Sequence, residues 1–253
     1  MIDSEEQTGN GPVLRHAIVG VGAGILSAHR LGLDLPAVQV VGVSDVNDII
    51  GRARAEEFGC PFFSDHRRLF EETAPDVTVV LTPHPYHAAI TIDALNAGSH
   101  VLVEKPMAVE AVEADAMIEA AERNGRILAV NFQQRFRPEI VAARELIRSG
   151  ALGELHRVEL VEPWMRPAAY YRSAGWRGTW RGEGGGVLLN QAPHGLDLLC
   201  HLAGMPKQVV AWTKTMRHAI ETEDTLLAMV EYESGALGTI YFIGFSGIWL
   251  VFA

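Results

Sequence analysis

The sequence predicts an α/β chain of two domains: a doubly wound parallel sheet in the first half and a smaller α+β domain in the second. Three observations carry this. In the first half, short apolar runs alternate with segments whose apolar residues recur at helical spacing, the rhythm of βαβ units and a parallel sheet. After Gly150 the texture changes to longer strand-like runs separated by turns. With 253 residues, 48% of them hydrophobic and 21% charged, the chain has apolar material for two modest cores.

The opening MIDSEEQTGNGP is acidic and polar, without the basic and apolar regions of a signal peptide, and residues 1–13 read as a short disordered arm. The first domain is placed at 14–135, with strands at 16–20, 38–45, 76–83, 100–106 and 126–132. The clearest helix is 108–125, rich in Ala and Glu and closed by Gly125 as C-cap. Another starts at Ser64, taken as its N-cap. The second domain is placed at 136–253, with strands at 154–162, 207–215, 224–233 and 236–244 and a single helical stretch at 187–204. Gly235 marks a tight turn, so the last two strands form an antiparallel hairpin.

Bulk properties exclude several function classes. A net charge of −10 argues against nucleic acid and anionic membranes as partners, since both select dense positive charge. The two cysteines, Cys60 and Cys200, give neither a metal spacing nor a disulfide framework, which fits a reducing cytoplasm and no metal.

The chemistry-bearing motifs fall at strand ends. GVGAGI follows the first strand and opens a helix, where Gly20, Gly22, Ala23, Gly24 and Ile25 suit the approach of a pyrophosphate. The fingerprint G-x-G-x-x-G is broken, because Ile25 stands at its third glycine. Asp45, at the end of the second strand, strengthens the reading: an acid there accepts from ribose hydroxyls and repels a 2′-phosphate, favouring NAD over NADP. Thr82 and Pro83 close the next strand at the same ligand-facing edge, followed by His84 and His87, which cap or pack the helix start or reach the cofactor. In VEKP, Lys105 stands at a strand tip as donor to a substrate oxygen, with Glu104 to orient it and Pro106 to fix its direction. GEGGGVLLNQAPHGLD brings Asn190 and His194 four residues apart, so that they share a helix face. The run 163–181 is aromatic and basic, with Trp164, Trp176 and Trp180. Stacking on sugar rings and packing or subunit contact are its two readings.

Taken together, GVGAGI, TPHPYH, VEKP and GGGVLLNQAPHGLD resemble the Gfo/Idh/MocA family, the relatives of glucose–fructose oxidoreductase and inositol dehydrogenase, in order from about residue 14 to about 245. The resemblance implies a Rossmann domain followed by a domain on an open, mostly antiparallel sheet. It implies NAD(P)-linked oxidation or reduction of a sugar, polyol or similar molecule. Lys105 matches the family's catalytic acid/base lysine, whose bond to proline is commonly cis, and His194 matches its histidine. Asn190 stands where many members carry aspartate, which makes it an orienter and not a proton carrier. Arg135 and Trp176 join Lys105, Asn190 and His194 as expected substrate contacts, and members are often dimers or tetramers through the open sheet.

The end departs from the pattern. No charge follows Glu233, and GTIYFIGFSGIWLVFA reads as a truncated or frameshifted end, ahead of a short natural variant or a membrane-seeking segment. An active dehydrogenase is therefore the first reading, and a catalytically silent cofactor- or sugar-binding member of the family is the second.

Overall fold

The structure, a computed structural model, describes residues 12–22 and 24–244; most of the predicted arm, Ala23 and the tail from residue 245 lie outside the described residues. The chain divides into two compact units between Asn131 and Phe132.

The described residues of the first unit run β1 (Leu14–Val19), α1 (Leu26–Leu33), β2 (Val38–Ser44), α2 (Asp48–Phe58), β3 (Phe62–Phe63), α3 (His66–Thr73), β4 (Val77–Val80), α4 (His87–Asn96), β5 (His100–Val103), α5 (Ala111–Asn124) and β6 (Leu128–Val130). All pairs are parallel, in the order β3-β2-β1-β4-β5-β6, so the topology switches direction between β1 and β4. Ala17 and Val19 face one core with Val80, Val103, Ala94 and Met117. Ile18, between them in sequence, faces the other core with Val43, Val79, Leu26 and Ala55. Strands buried on both faces need no polar side, which is why they read as unbroken apolar runs.

Local signals fix the helix ends. Asn47 caps α2 by accepting from the N–H groups of Ile49 and Ile50, and Gly59 ends it at φ +65°. Gly125 ends α5 at φ +59°, as expected of it. The cap of α3 is Asp65, not Ser64: its carboxylate accepts from Arg67 N–H at 2.9 Å.

The second unit runs α6 (Pro138–Arg148), β7 (Arg157–Pro163), α7 (Ala168–Arg172), α8 (Trp180–Glu183), α9 (Val187–Asn190), α10 (Pro193–Ala203), β8 (Pro206–Lys214), β9 (Thr225–Tyr232) and β10 (Leu237–Ile243). Helix α6 was not expected; Pro138 sits at its first turn, where a missing N–H does no harm. The helical stretch expected at 187–204 is two helices. Helix α9 ends at Asn190, and Pro193, which cannot serve an interior position, opens α10. The sheet order is β7-β10-β9-β8; β9 is antiparallel to both neighbours, β7 is parallel to β10, and Gly235 turns the hairpin at φ +85°.

One face of this sheet packs Leu226, Ala228, Val230, Ile240 and Phe242 against Val187, Ala192 and Leu199 of the helical segment. On the other face a cross-strand row runs from Val161 through Tyr241 and Leu227 to Trp212, with Val161, Leu227 and Trp212 about half exposed. Among the described residues no helix is long and apolar enough to cross a membrane.

Candidate active site

In the first unit, the carboxyl ends of the adjacent strands β1, β4 and β5 carry the glycine turn, Thr82–Pro83 and Lys105 respectively. That edge is where a doubly wound sheet binds its ligand. Gly20 has φ +92°, and a Cβ there would lie 2.7–2.9 Å from backbone atoms of Leu81 and Thr82, so the turn closes against β4 only with glycine. Asp45 holds the turn from the other side: Oδ2 accepts from Gly22 N–H at 2.7 Å and Oδ1 from Asn47 N–H at 2.8 Å. Among the described residues nothing lies within 4 Å of a Cβ on Gly24, and Ile25 offers α1 no side-chain cap. In its first turn the Ser27 and Ala28 N–H groups turn to the Gly24 and Ile25 carbonyls at 3.4 and 2.9 Å, so no side chain blocks the start of the helix. Thr82 Oγ1 is buried with no hydrogen-bond partner among the described residues. An open glycine cradle, a helix start with no side-chain cap and an orphaned hydroxyl fit a bound dinucleotide. Ala23, expected in the same turn, lies outside the described residues.

One of the histidines after Pro83 sits beneath that edge. His87 is fully buried, with Nδ1 2.8 Å from the Pro106 carbonyl and Nε2 2.7 Å from the Thr82 carbonyl. It ties the β4 end to the β5 end. Burial holds its pKa below the ordinary value, outweighing the two carbonyls that favour the charged ring. His84 precedes it in a short 3-10 turn, the two rings 5.8 Å apart.

Glu104 is 6% exposed and takes three donors: His29 Nε2 at 2.7 Å, Asn131 Nδ2 at 2.6 Å and its neighbour Lys105 N–H at 3.1 Å. Lys105 thus leaves the strand from a fixed backbone, and its bond to Pro106 is cis. His29 and Asn131 were invisible to sequence reasoning because nothing local links them to VEKP.

Burial by itself would raise the Glu104 pKa; the bonds from His29 and Asn131, with the His29 charge and the Lys105 N–H, outweigh it, and the carboxyl ionises below its ordinary range. A depressed carboxyl stabilises the fold above its unfolded pKa and loses that contribution as pH falls through its folded value. Glu104→Gln is expected to cost about 1–3 kcal/mol at pH 7 and to shrink the gap to wild type as pH is lowered towards 3. Thermal unfolding against pH reads this; a constant gap would show that the carboxylate is not preferentially stabilised in the fold.

In the second unit Gly184 turns the chain at φ +78°, and Gly186 begins α9 under Glu223. Both Glu223 carboxylate oxygens accept from Gly186 N–H at 3.0 Å and one accepts from Leu188 N–H at 2.9 Å, while the Glu223 carbonyl accepts from Val187 N–H. Asn190 ends that helix and donates through Nδ2 to Glu183 Oε1 at 2.5 Å and to the Tyr170 hydroxyl at 3.3 Å. His194 belongs to α10, so the shared-helix-face argument for Asn190 and His194 does not hold.

The His194 ring stands edge-on to Phe132 at 6.0 Å, and the Arg135 guanidinium lies 5.7 Å from the same ring. Arg135 is itself engaged by Asp197, which accepts from Nε at 2.7 Å and from Nη2. Beside His194 lies a cavity of about 420 Å³ whose lining includes Gln134, Glu162, Leu198 and Leu202. Burial raises the Glu162 carboxyl, whose Oε2 occupies the space a Cβ on Gly195 would need. Trp176 lies against the Arg177 guanidinium at 4.5 Å and is 38% exposed. Glu162 and Glu183 were not singled out from sequence; GEGGG drew attention to its glycines and away from its acid.

Comparison with known proteins places this geometry. A profile described as an oxidoreductase family with NAD-binding Rossmann fold matches residues 14–132, and a GFO/IDH/MocA C-terminal domain profile matches residues 140–246. A 1-carboxy-3-chloro-3,4-dihydroxycyclohexa-1,5-diene dehydrogenase of Comamonas testosteroni is 32% identical over 92% of this chain and 58% of its own length. A D-glucoside 3-dehydrogenase of Escherichia coli is 29% identical over 88% of this chain and 68% of its own. Among solved structures, the WlbA dehydrogenase of Chromobacterium violaceum, in complex with NADH and UDP-GlcNAcA, aligns with a TM-score of 0.89 at 31% identity, over 94% of this chain and 69% of its own. The chain spans little more than half the length of the first of these relatives. Two domain profiles in sequence along nearly the whole chain, and a relative sharing a third of its residues, show that it belongs to the GFO/IDH/MocA family of oxidoreductases.

Proposed function

We propose that the chain serves an NAD-dependent dehydrogenase or reductase that moves a hydride between nicotinamide and a secondary alcohol or ketone carbon of a sugar, polyol or related molecule. The observation that carries this is the alignment of the glycine turn, Thr82–Pro83 and Lys105 on three neighbouring strand ends of a Rossmann sheet. When bound, the nicotinamide supplies the hydride chemistry. The chain's own residues do the rest. Asp45 and the turn at Gly20 and Gly22 seat the adenosine end; Lys105 or His194 takes the hydroxyl proton as the alcohol is oxidised and returns it in reduction; Asn190 accepts from a substrate hydroxyl; Arg135 and Trp176 border the sugar. The half-exposed Val161, Leu227 and Trp212 serve a contact between copies, and the reducing cytoplasm suits the two unpaired cysteines.

The test is a fluorescence titration with NADH and NADPH, followed by assays of NADH formation on a panel of sugars and polyols. NADH is expected to bind at least tenfold tighter than NADPH, and Asp45→Ala is expected to erase that preference. Equal affinities in the unmodified chain would remove the role of Asp45, and no binding of either would remove the reading. Binding without turnover on any substrate would leave a silent cofactor-binding member of the family.

A further inference from the structure

We infer that Glu183 and Tyr170 are positioning residues that fix which way the Asn190 amide faces, and that Glu183 is the reason an amide and not a carboxylate stands at 190. The inference rests on the assignment of Asn190 to the substrate site, and its test is built to survive the loss of that assignment.

Glu183 closes the four-residue helix α8 and is 1% exposed. Its Oε2 accepts from Gly178 N–H at 2.5 Å, and its Oε1 accepts from Asn190 Nδ2 while Arg177 Nη1 stands 3.7 Å away. The Tyr170 hydroxyl accepts from Arg177 Nη1 and lies 3.3 Å from Asn190 Nδ2. A primary amide has two N–H hydrogens, and here each has its acceptor. Flipping the amide would set Oδ1 against a buried carboxylate oxygen at the same 2.5 Å, acceptor against acceptor. The flip is therefore closed, and Oδ1 is held on the side away from Glu183 and Tyr170, as an acceptor. A substrate hydroxyl meets it as a donor, which orients that hydroxyl for the transfer of its proton elsewhere.

The same geometry excludes aspartate. Two carboxylates at this spacing cannot both ionise and must share one proton. Nearby, Arg177 offsets part of the negative charge on Glu183, while Glu223 adds to it. Burial already pushes the Glu183 carboxyl above its ordinary range, against the Gly178 N–H, Arg177 and Asn190.

The experiment compares the full chain with Asn190→Asp, Glu183→Gln and the double variant, by thermal or urea unfolding between pH 6 and pH 8. In Asn190→Asp the shared proton gives the pair a raised folded pKa, so its stabilising effect is present at low pH and lost as pH rises. The variant is expected to lose about tenfold in its folding equilibrium constant per pH unit, relative to wild type. In the double variant the amide and the carboxylate exchange places, one donor facing one acceptor, and the pH dependence returns to that of wild type. In a turnover assay Glu183→Gln is expected to lower kcat about tenfold at unchanged NADH affinity, because the amide is free to turn. An Asn190→Asp chain with the pH dependence of wild type, or a double variant no better than the single one, would overturn the inference. Absent NADH binding sinks the dehydrogenase reading while leaving the unfolding comparison to decide this one.

Discussion

Replacing Gly186 by alanine is expected to destabilise the chain by about 3 kcal/mol or more, at the upper end of what one added methyl does in a packed site. A Cβ at this position would lie 1.9 Å from the Glu223 carbonyl oxygen and 2.8 Å from Glu223 C and N. These are backbone atoms, which cannot swing aside as a side-chain tip does. They are also tied down: the same Glu223 accepts from Gly186, Val187 and Leu188 N–H groups, so moving it uncaps α9. Asn190 sits at the other end of that one-turn helix and is expected to lose its register with Glu183. Gly24→Ala is the matched control, since among the described residues nothing lies within 4 Å of a Cβ there, and it should stay within about 0.5 kcal/mol of wild type. Urea unfolding of the two variants decides it. A Gly186→Ala chain as stable as the control would mean that the Glu223 clasp yields at no cost and does not fix α9.

What sequence could and could not reveal follows from how far each signal reaches along the chain. The parallel sheet was legible because β1 and β4 are buried on both faces, and the apolar runs of its strands repeat at regular spacing. Gly20, Asp45, Thr82 and Lys105 were legible as residue types at strand ends, where a doubly wound sheet gathers its ligand contacts. The partners that hold them were not. His29 and Asn131 lie 75 and 27 residues from the Glu104 they grip, and no local pattern announces such a meeting. His87 shows the converse: beside a strand end a histidine packs or reaches a ligand, and only its two carbonyl partners reveal it as a tie. The periodicity argument over 187–204 failed for one residue, Pro193, whose helix-opening role outweighed the apolar spacing around it.

Lys105→Ala is expected to lower turnover by roughly 10²–10⁴-fold, the range of a positioned proton donor or acceptor, while leaving NADH affinity within about threefold and the unfolding midpoint unchanged. Lys105 is one of three lysines in the chain, with Lys207 and Lys214, and it alone stands at the ligand-facing edge of the first sheet. Its side chain is partly exposed and its backbone is anchored through Glu104, so removing the ammonium removes chemistry and little packing. Lys105→Arg is expected to be as inactive as alanine: it keeps the charge, but a guanidinium does not release its proton near neutral pH. That pair of variants separates the two roles a lysine could fill. If arginine restores turnover, the residue acts as a fixed positive charge that polarises the substrate oxygen, and the proton passes through His194. If neither variant loses more than about threefold, Lys105 is a bystander. If both fail while NADH still binds, the rigid strand tip exists to hold a proton where the hydride is transferred.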